Sequence, residues 1–151
     1  MQMKTPAMAA LLLAALALPA SSQQMKAENQ VKYRRAAYQL MNLNFGSLEA
    51  MMENKKPFNH DEAARNAEFV AMLATVPKAF FGEGTDKDTR AKPEIWKNRA
   101  DFDSKMDKMA SEAAKLPAVV KSGDMAAFRK QVHDVGEACK ACHDEYRAKQ
   151  Q

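Results

Sequence analysis

The stretch Phe128-Arg-Lys-Gln-Val132-His-Asp-Val135-Gly-Glu-Ala-Cys139-Lys-Ala-Cys142-His143-Asp-Glu-Tyr146 decides how the rest of the chain is read. Its apolar and sulfur-bearing positions, Phe128, Val132, Val135, Cys139, Cys142 and Tyr146, advance by alternate steps of four and three. That is the period of a helix with one buried face; a half-buried strand would alternate every second residue. The pattern predicts a long amphipathic helix that turns both cysteines of the chain inward. The triplet Ser122-Gly-Asp124 turns the chain into it.

The same period continues upstream. Ile95, Phe102, Met106, Met109, Ala113, Leu116 and Val120 form a near-heptad stripe that starts after Pro93, a residue suited to a first helical turn, and that Pro117 should kink late. Before it lies a charged loop, Gly82 to Lys92. A second helix starts near Asn59 or Asp61, either able to cap exposed N–H groups, and carries Phe69, Leu73, Val76 and Phe80; Pro77 should bend or end it. A first helix spans about Ala27 to Glu53, with Val31, Tyr38, Met41, Phe45, Leu48 and Met52 on one face, and Lys55-Lys56-Pro57 stops it. Four such helices with short links predict an all-α, antiparallel up-down-up-down four-helix bundle.

The length of 151 residues suits one domain. Lys4, the apolar run from residue 8 to 18 and the small residues Ala20, Ser21 and Ser22 read as a secretory signal peptide over 1–22, leaving a domain of 23–151 and an exported protein. The apolar run is short of the roughly 20 residues of a membrane span, so no span is expected once the signal is removed. Removing it takes one base and no acid, leaving 22 basic against 19 acidic residues. These are interleaved, and no basic-aromatic platform argues for nucleic acid.

Cys139-Lys-Ala-Cys142-His143 is a C-x-x-C-H sequence, the attachment signal of c-type haem. On a helix, residues three apart project to the same side, so both thiols can reach the two vinyl groups of one porphyrin, and the adjacent His143 can ligate the iron. Other readings compete. A thioredoxin-like pair needs a βαβ setting. A structural zinc site needs four ligands, hence His60 or His133 at spacings that do not suit one. A disulfide between Cys139 and Cys142 would close inside a helix with poor geometry.

With the motif placed on a terminal helix, the mature chain from about residue 26 to 148 resembles the cytochrome c′ family of high-spin bacterial periplasmic cytochromes. The resemblance rests on Val31-Lys-Tyr-Arg34, Phe81-Gly-Glu-Gly-Thr85, Pro93-Glu-Ile-Trp96 and Cys139-Lys-Ala-Cys-His-Asp-Glu-Tyr-Arg147. Cytochromes c′ are themselves a standard instance of the up-down-up-down bundle, so that architecture is partly what the resemblance implies. It further implies one covalently bound haem c and a periplasmic location. It also implies haem contacts from Arg34, Arg35, Tyr38, Met41, Phe81, Glu94 and Arg147. Arg34, with Arg35 beside it, would hold a propionate, and Arg147 would line the His143 side. Glu94 and Trp96 would pack near the haem edge or else serve as helix-start and core residues.

In low-spin relatives, a methionine four residues after the position of Arg34 supplies the second axial ligand; here that position is Tyr38. Many family members carry an aliphatic residue there. A phenol with a pKa near 10 is a poor neutral ligand, which predicts five-coordinate, largely high-spin iron with Tyr38 over the open face. Alternatively Tyr38 is only a core aromatic. Met41, on the same face, is the rival ligand.

Two functions follow. One is binding of nitric oxide or carbon monoxide with one-electron redox cycling of the iron. The alternative is a simple low-spin His/Met electron carrier between redox partner proteins. No enzyme activity is expected, since no histidine is placed as a distal acid-base group. Family resemblance also implies a homodimer through the first two helices, for which Leu40, Leu43 and Met51 are candidate contacts.

Overall fold

The structure is a computed structural model that describes residues 25–149. The signal-peptide reading of 1–22 lies outside the described residues. Helices run α1 (Ala27–Met52), α2 (His60–Leu73), a 3-10 turn (Pro77–Phe80), α3 (Glu94–Lys97), α4 (Arg99–Ala113), α5 (Leu116–Ser122) and α6 (Met125–Tyr146). They form a four-helix bundle whose limbs are α1, α2, the α3–α4–α5 series and α6. α1 packs on α2 and α6, α4 on α6, and α5 closes against α2 and α6. Among the described residues, no helix is long and apolar enough to cross a membrane.

Local chemistry explains the boundaries. The Asn59 side chain accepts from the Glu62 N–H at 2.9 Å, so Asn59 caps α2. α2 stops at Leu73, before Pro77, which opens the 3-10 turn instead. Gly123 sits in the left-handed region at φ +71°, ending α5, and the Asp124 carboxylate then accepts from the N–H groups of Ala126 and Ala127 to start α6.

The buried stripe expected on α6 is observed at Phe128, Val132, Val135, Cys142 and Tyr146, with Cys139 half-buried. Elsewhere the reading needs correction. The third limb is not one helix: Asn98 breaks it between α3 and α4, and the later break falls at Ala114–Lys115, ahead of Pro117. A proline ring clashes with the carbonyl four residues earlier, so the disruption lies one turn before the proline. α2 buries Ala63, Ala67, Val70 and Leu73, while Phe69 is exposed. Its core face is written partly in alanine, which a search for large apolar side chains overlooks. On α1, Met51 is 1 % exposed. It belongs to the core and is unavailable to the dimer patch, and Met52 is only packed against the core's edge.

Candidate functional site

A cleft of about 1010 Å³ opens between α1 and α6, with its floor on α2, α3 and α4. Its size is at the upper end of ordinary ligand pockets. Cys139, Cys142 and His143 of α6 line one wall; Arg34, Arg35, Tyr38 and Met41 of α1 line the other; Phe81 and Arg147 complete the predicted set. Residues nearly 110 positions apart in sequence therefore meet at one place because α1 and α6 pack together. Glu94 does not line the cleft: it faces Lys97, 3.9 Å away. Trp96 does not line it either, and its Nε1–H donates to the carbonyls of Phe81 and Gly82 at 3.1 Å each. His60 and His133 are exposed and paired only with neighbouring aspartates, outside the cleft.

Neither cysteine is in a disulfide, and burial pushes each thiol up to about 11. Burial of this kind disfavours the free thiolate. Among the described residues no group of three or more His, Cys, Asp or Glu side chains is arranged to hold a metal ion. The His143 imidazole is held below its ordinary value, first by burial and then by the Arg147 and Arg90 guanidiniums, so it presents a neutral ring nitrogen. On the α1 wall, burial raises the Tyr38 phenol well above its usual value, and its hydroxyl donates to Met106 Sδ at 3.7 Å.

Arg34 lines the cleft and is also tied to the neighbouring loop. It is 4 % exposed, and its guanidinium donates to the Phe80 carbonyl at 3.0 Å, Thr85 Oγ1 at 3.2 Å and the Thr85 carbonyl at 2.8 Å, while lying 4.2 Å over the Phe81 ring. Much of its donor capacity is spent on the loop after the 3-10 turn. That loop fits because Gly82 lacks a side chain: a Cβ there would lie 2.7 Å from Gln30 Oε1, and the Gly82 N–H donates to that oxygen at 3.1 Å. Arg35 donates to the Asp88 carbonyl.

Several lining residues escaped the sequence reading. Phe45, Phe102, Met109 and Val135 supply apolar walls, and Gly136 bares the α6 backbone one turn before Cys139. Arg90, on the loop, lies close enough to His143 and Arg147 to depress both. The apolar four could have been nominated from their stripes; for a single arginine in a charged loop, no sequence signal existed.

The donor set suits a c-type haem. Two thiols one turn apart share a wall with an imidazole held below its ordinary pKa, an apolar interior backs them, and Arg34, Arg35, Arg90 and Arg147 line the same cleft. A family profile described as Cytochrome C' matches residues 29–147. The cytochrome c′ of Rubrivivax gelatinosus is 40 % identical over 126 residues, covering 82 % of this chain and 98 % of its own. The solved cytochrome c′ of Shewanella frigidimarina is 38 % identical with a TM-score of 0.81, covering 83 % and 99 %. A nitric oxide complex of a point mutant of cytochrome c′ from Alcaligenes xylosoxidans is 37 % identical with a TM-score of 0.77, covering 85 % and 100 %; a further variant of that protein is carbon monoxide bound.

Proposed function

The chain belongs to the cytochrome c′ family, which binds one covalently attached haem c, and on that premise we propose that it is an exported gas-binding cytochrome with five-coordinate, high-spin iron. Cys139 and Cys142 carry the thioether links, and His143 is the axial ligand. The haem supplies one-electron redox chemistry and reversible affinity for nitric oxide and carbon monoxide, ligands that solved relatives bind.

The observation that carries this reading is the pairing of walls: Cys139, Cys142 and His143 on α6 face Tyr38 on α1 across one cleft. Tyr38 is held neutral by burial, so it offers no anionic oxygen to the iron. Its ring limits the space on the open side, and its hydroxyl is occupied by Met106 Sδ. Phe45, Phe102 and Val135 give the cleft an apolar interior. Arg35, Arg90 and Arg147 line the cleft and would offer planar forks to haem carboxylates, a role in which a fork outperforms a point charge. On this reading the chain binds a gas and cycles one electron.

Met41 favours a second reading. It lines the same cleft and is largely buried, so a His143/Met41 low-spin electron carrier would draw on residues already in the site. Electronic spectra of the oxidised, reduced and gas-treated protein separate the two. High-spin bands that shift on adding nitric oxide or carbon monoxide support the first; a methionine-to-iron charge-transfer band in the oxidised protein would replace it with the second.

We assign the protein to the periplasm and to a homodimer formed through α1 and α2. Those helices expose Tyr33, Leu40 and Leu43, and Phe69 and Met72, respectively. Large apolar side chains left outside on two adjacent helices offer material for such an interface.

A further inference from the structure

The last turn of α6 holds the proposed iron ligand, and one residue of a distant loop secures its main chain. A helix leaves its final carbonyls without intrahelical donors. Here the His143 carbonyl accepts from the Arg147 N–H at 3.1 Å. The Asp144 and Glu145 carbonyls both accept from Lys92 Nζ, at 3.2 and 2.8 Å. The Tyr146 carbonyl accepts from the Lys92 N–H at 3.0 Å. An ammonium is also the favourable sign of charge for the negative end of the helix dipole.

Neighbouring bonds stiffen the arrangement. The Ala148 N–H donates to the Arg90 carbonyl at 2.8 Å, Arg90 Nε donates back to the Ala148 carbonyl at 2.9 Å, and Ala91 pairs with Arg147 in an antiparallel bridge. The other end of the same loop is fastened to α1 through Gln30 and Arg34. Residues 81–92 therefore strap the helix that carries Tyr38 to the turn that carries His143.

We propose that Lys92 is a positioning residue for the axial histidine. By occupying the carbonyls of Asp144 and Glu145, its side chain keeps the terminal turn wound, and a wound turn fixes where the His143 ring meets the iron. Without that ammonium the turn frays, as unsupported helix ends do, and the imidazole samples a wider range of distances and tilts. The proposal rests on the assignment of His143 as ligand.

The test uses the holoprotein and three variants: Lys92→Met, Lys92→Arg and, as a charge control on the same loop, Lys87→Met. Resonance Raman of the reduced protein reads the iron–histidine stretching band, and hydrogen exchange reads the amides of residues 143–148. Lys92→Met is expected to broaden and shift the band and to accelerate exchange roughly tenfold, the scale of one charge-assisted hydrogen bond. Lys92→Arg should restore both in large part, and Lys87→Met should change neither. An unchanged band in Lys92→Met, whatever happens to its unfolding midpoint, overturns the proposal, as does an equal change in Lys87→Met. A parent protein lacking any iron–histidine band would instead remove the His143 assignment itself.

Discussion

A buried phenol that stays protonated gives the α1 wall of the cleft a hydroxyl and an aromatic ring in place of a ligand. Tyr38→Ala should therefore keep a high-spin spectrum while carbon monoxide binds faster. A gain of about tenfold, near 1.4 kcal/mol of barrier, is the expected size by flash photolysis. An unchanged rate would mean that the ring does not guard the iron. Met41→Leu should leave the oxidised spectrum as it is, because the side chain serves as packing; loss of a charge-transfer band would reverse that assignment. Cys139, Cys142 and His143 were legible in the sequence as a motif on one helix, and Tyr38 through the family resemblance, by its place four residues after Arg34. Arg34 was legible only as a basic residue near the site. Its three bonds to Phe80 and Thr85 depend on a loop about 50 residues away.

Among the elements, the end of α4 holds a buried charge just before the break at Ala114–Lys115. Glu112 is 5 % exposed and is met by Lys108 at 2.7 Å, Lys115 at 2.8 Å and, from α6, Gln131 at 2.8 Å. Those three donors lower its carboxyl from an ordinary 4.5 to about 2. A carboxylate depressed in the folded state stabilises the fold above the unfolded value, and that contribution is lost as pH falls from about 4.5 towards 2. Glu112→Gln should accordingly cost about 2 kcal/mol at neutral pH, and the difference from the parent should shrink over that acid window when urea midpoints are compared. A constant difference would mean that packing, and not charge, is what the substitution removes. At the next junction, Gly123→Ala forces a side chain into φ +71° and Asp124→Ala removes the α6 cap. Each should cost about 1 kcal/mol with no change in the haem spectrum. Gly123 and Asp124 were readable as a turn, and Pro117 as a disruption. The break at Asn98 was not, because nothing in Trp96-Lys-Asn-Arg99 interrupts the helical period.

On the scale of the whole molecule, the proposed dimer depends on which α1 residues the bundle leaves outside. Leu43 is 71 % exposed and Leu40 is 53 % exposed. Leu43→Asp is expected to convert a dimer into a monomer in sedimentation at micromolar concentration, with the electronic spectrum unaltered. A parent protein that already sediments as a monomer would remove the interface. Met51 differs from these two although hydrophobicity ranks it with them. It continues the buried face of α1 three residues after Leu48.

The chain's own order of residues determined the all-α class, the number of limbs, the α6 stripe and the C-x-x-C-H motif of Cys139, Cys142 and His143. Helical period and motif spacing are local properties, legible within a few turns. Tertiary structure alone decided that Tyr38 faces those residues, that Phe69 points outward while Ala63 and Ala67 point in, that Glu94 stands apart from the cleft, and that Lys92 reaches the end of α6. Each of these depends on how the helices rotate and approach in the bundle. Close packing sets that geometry over the whole set of side chains at once, and no single segment carries it.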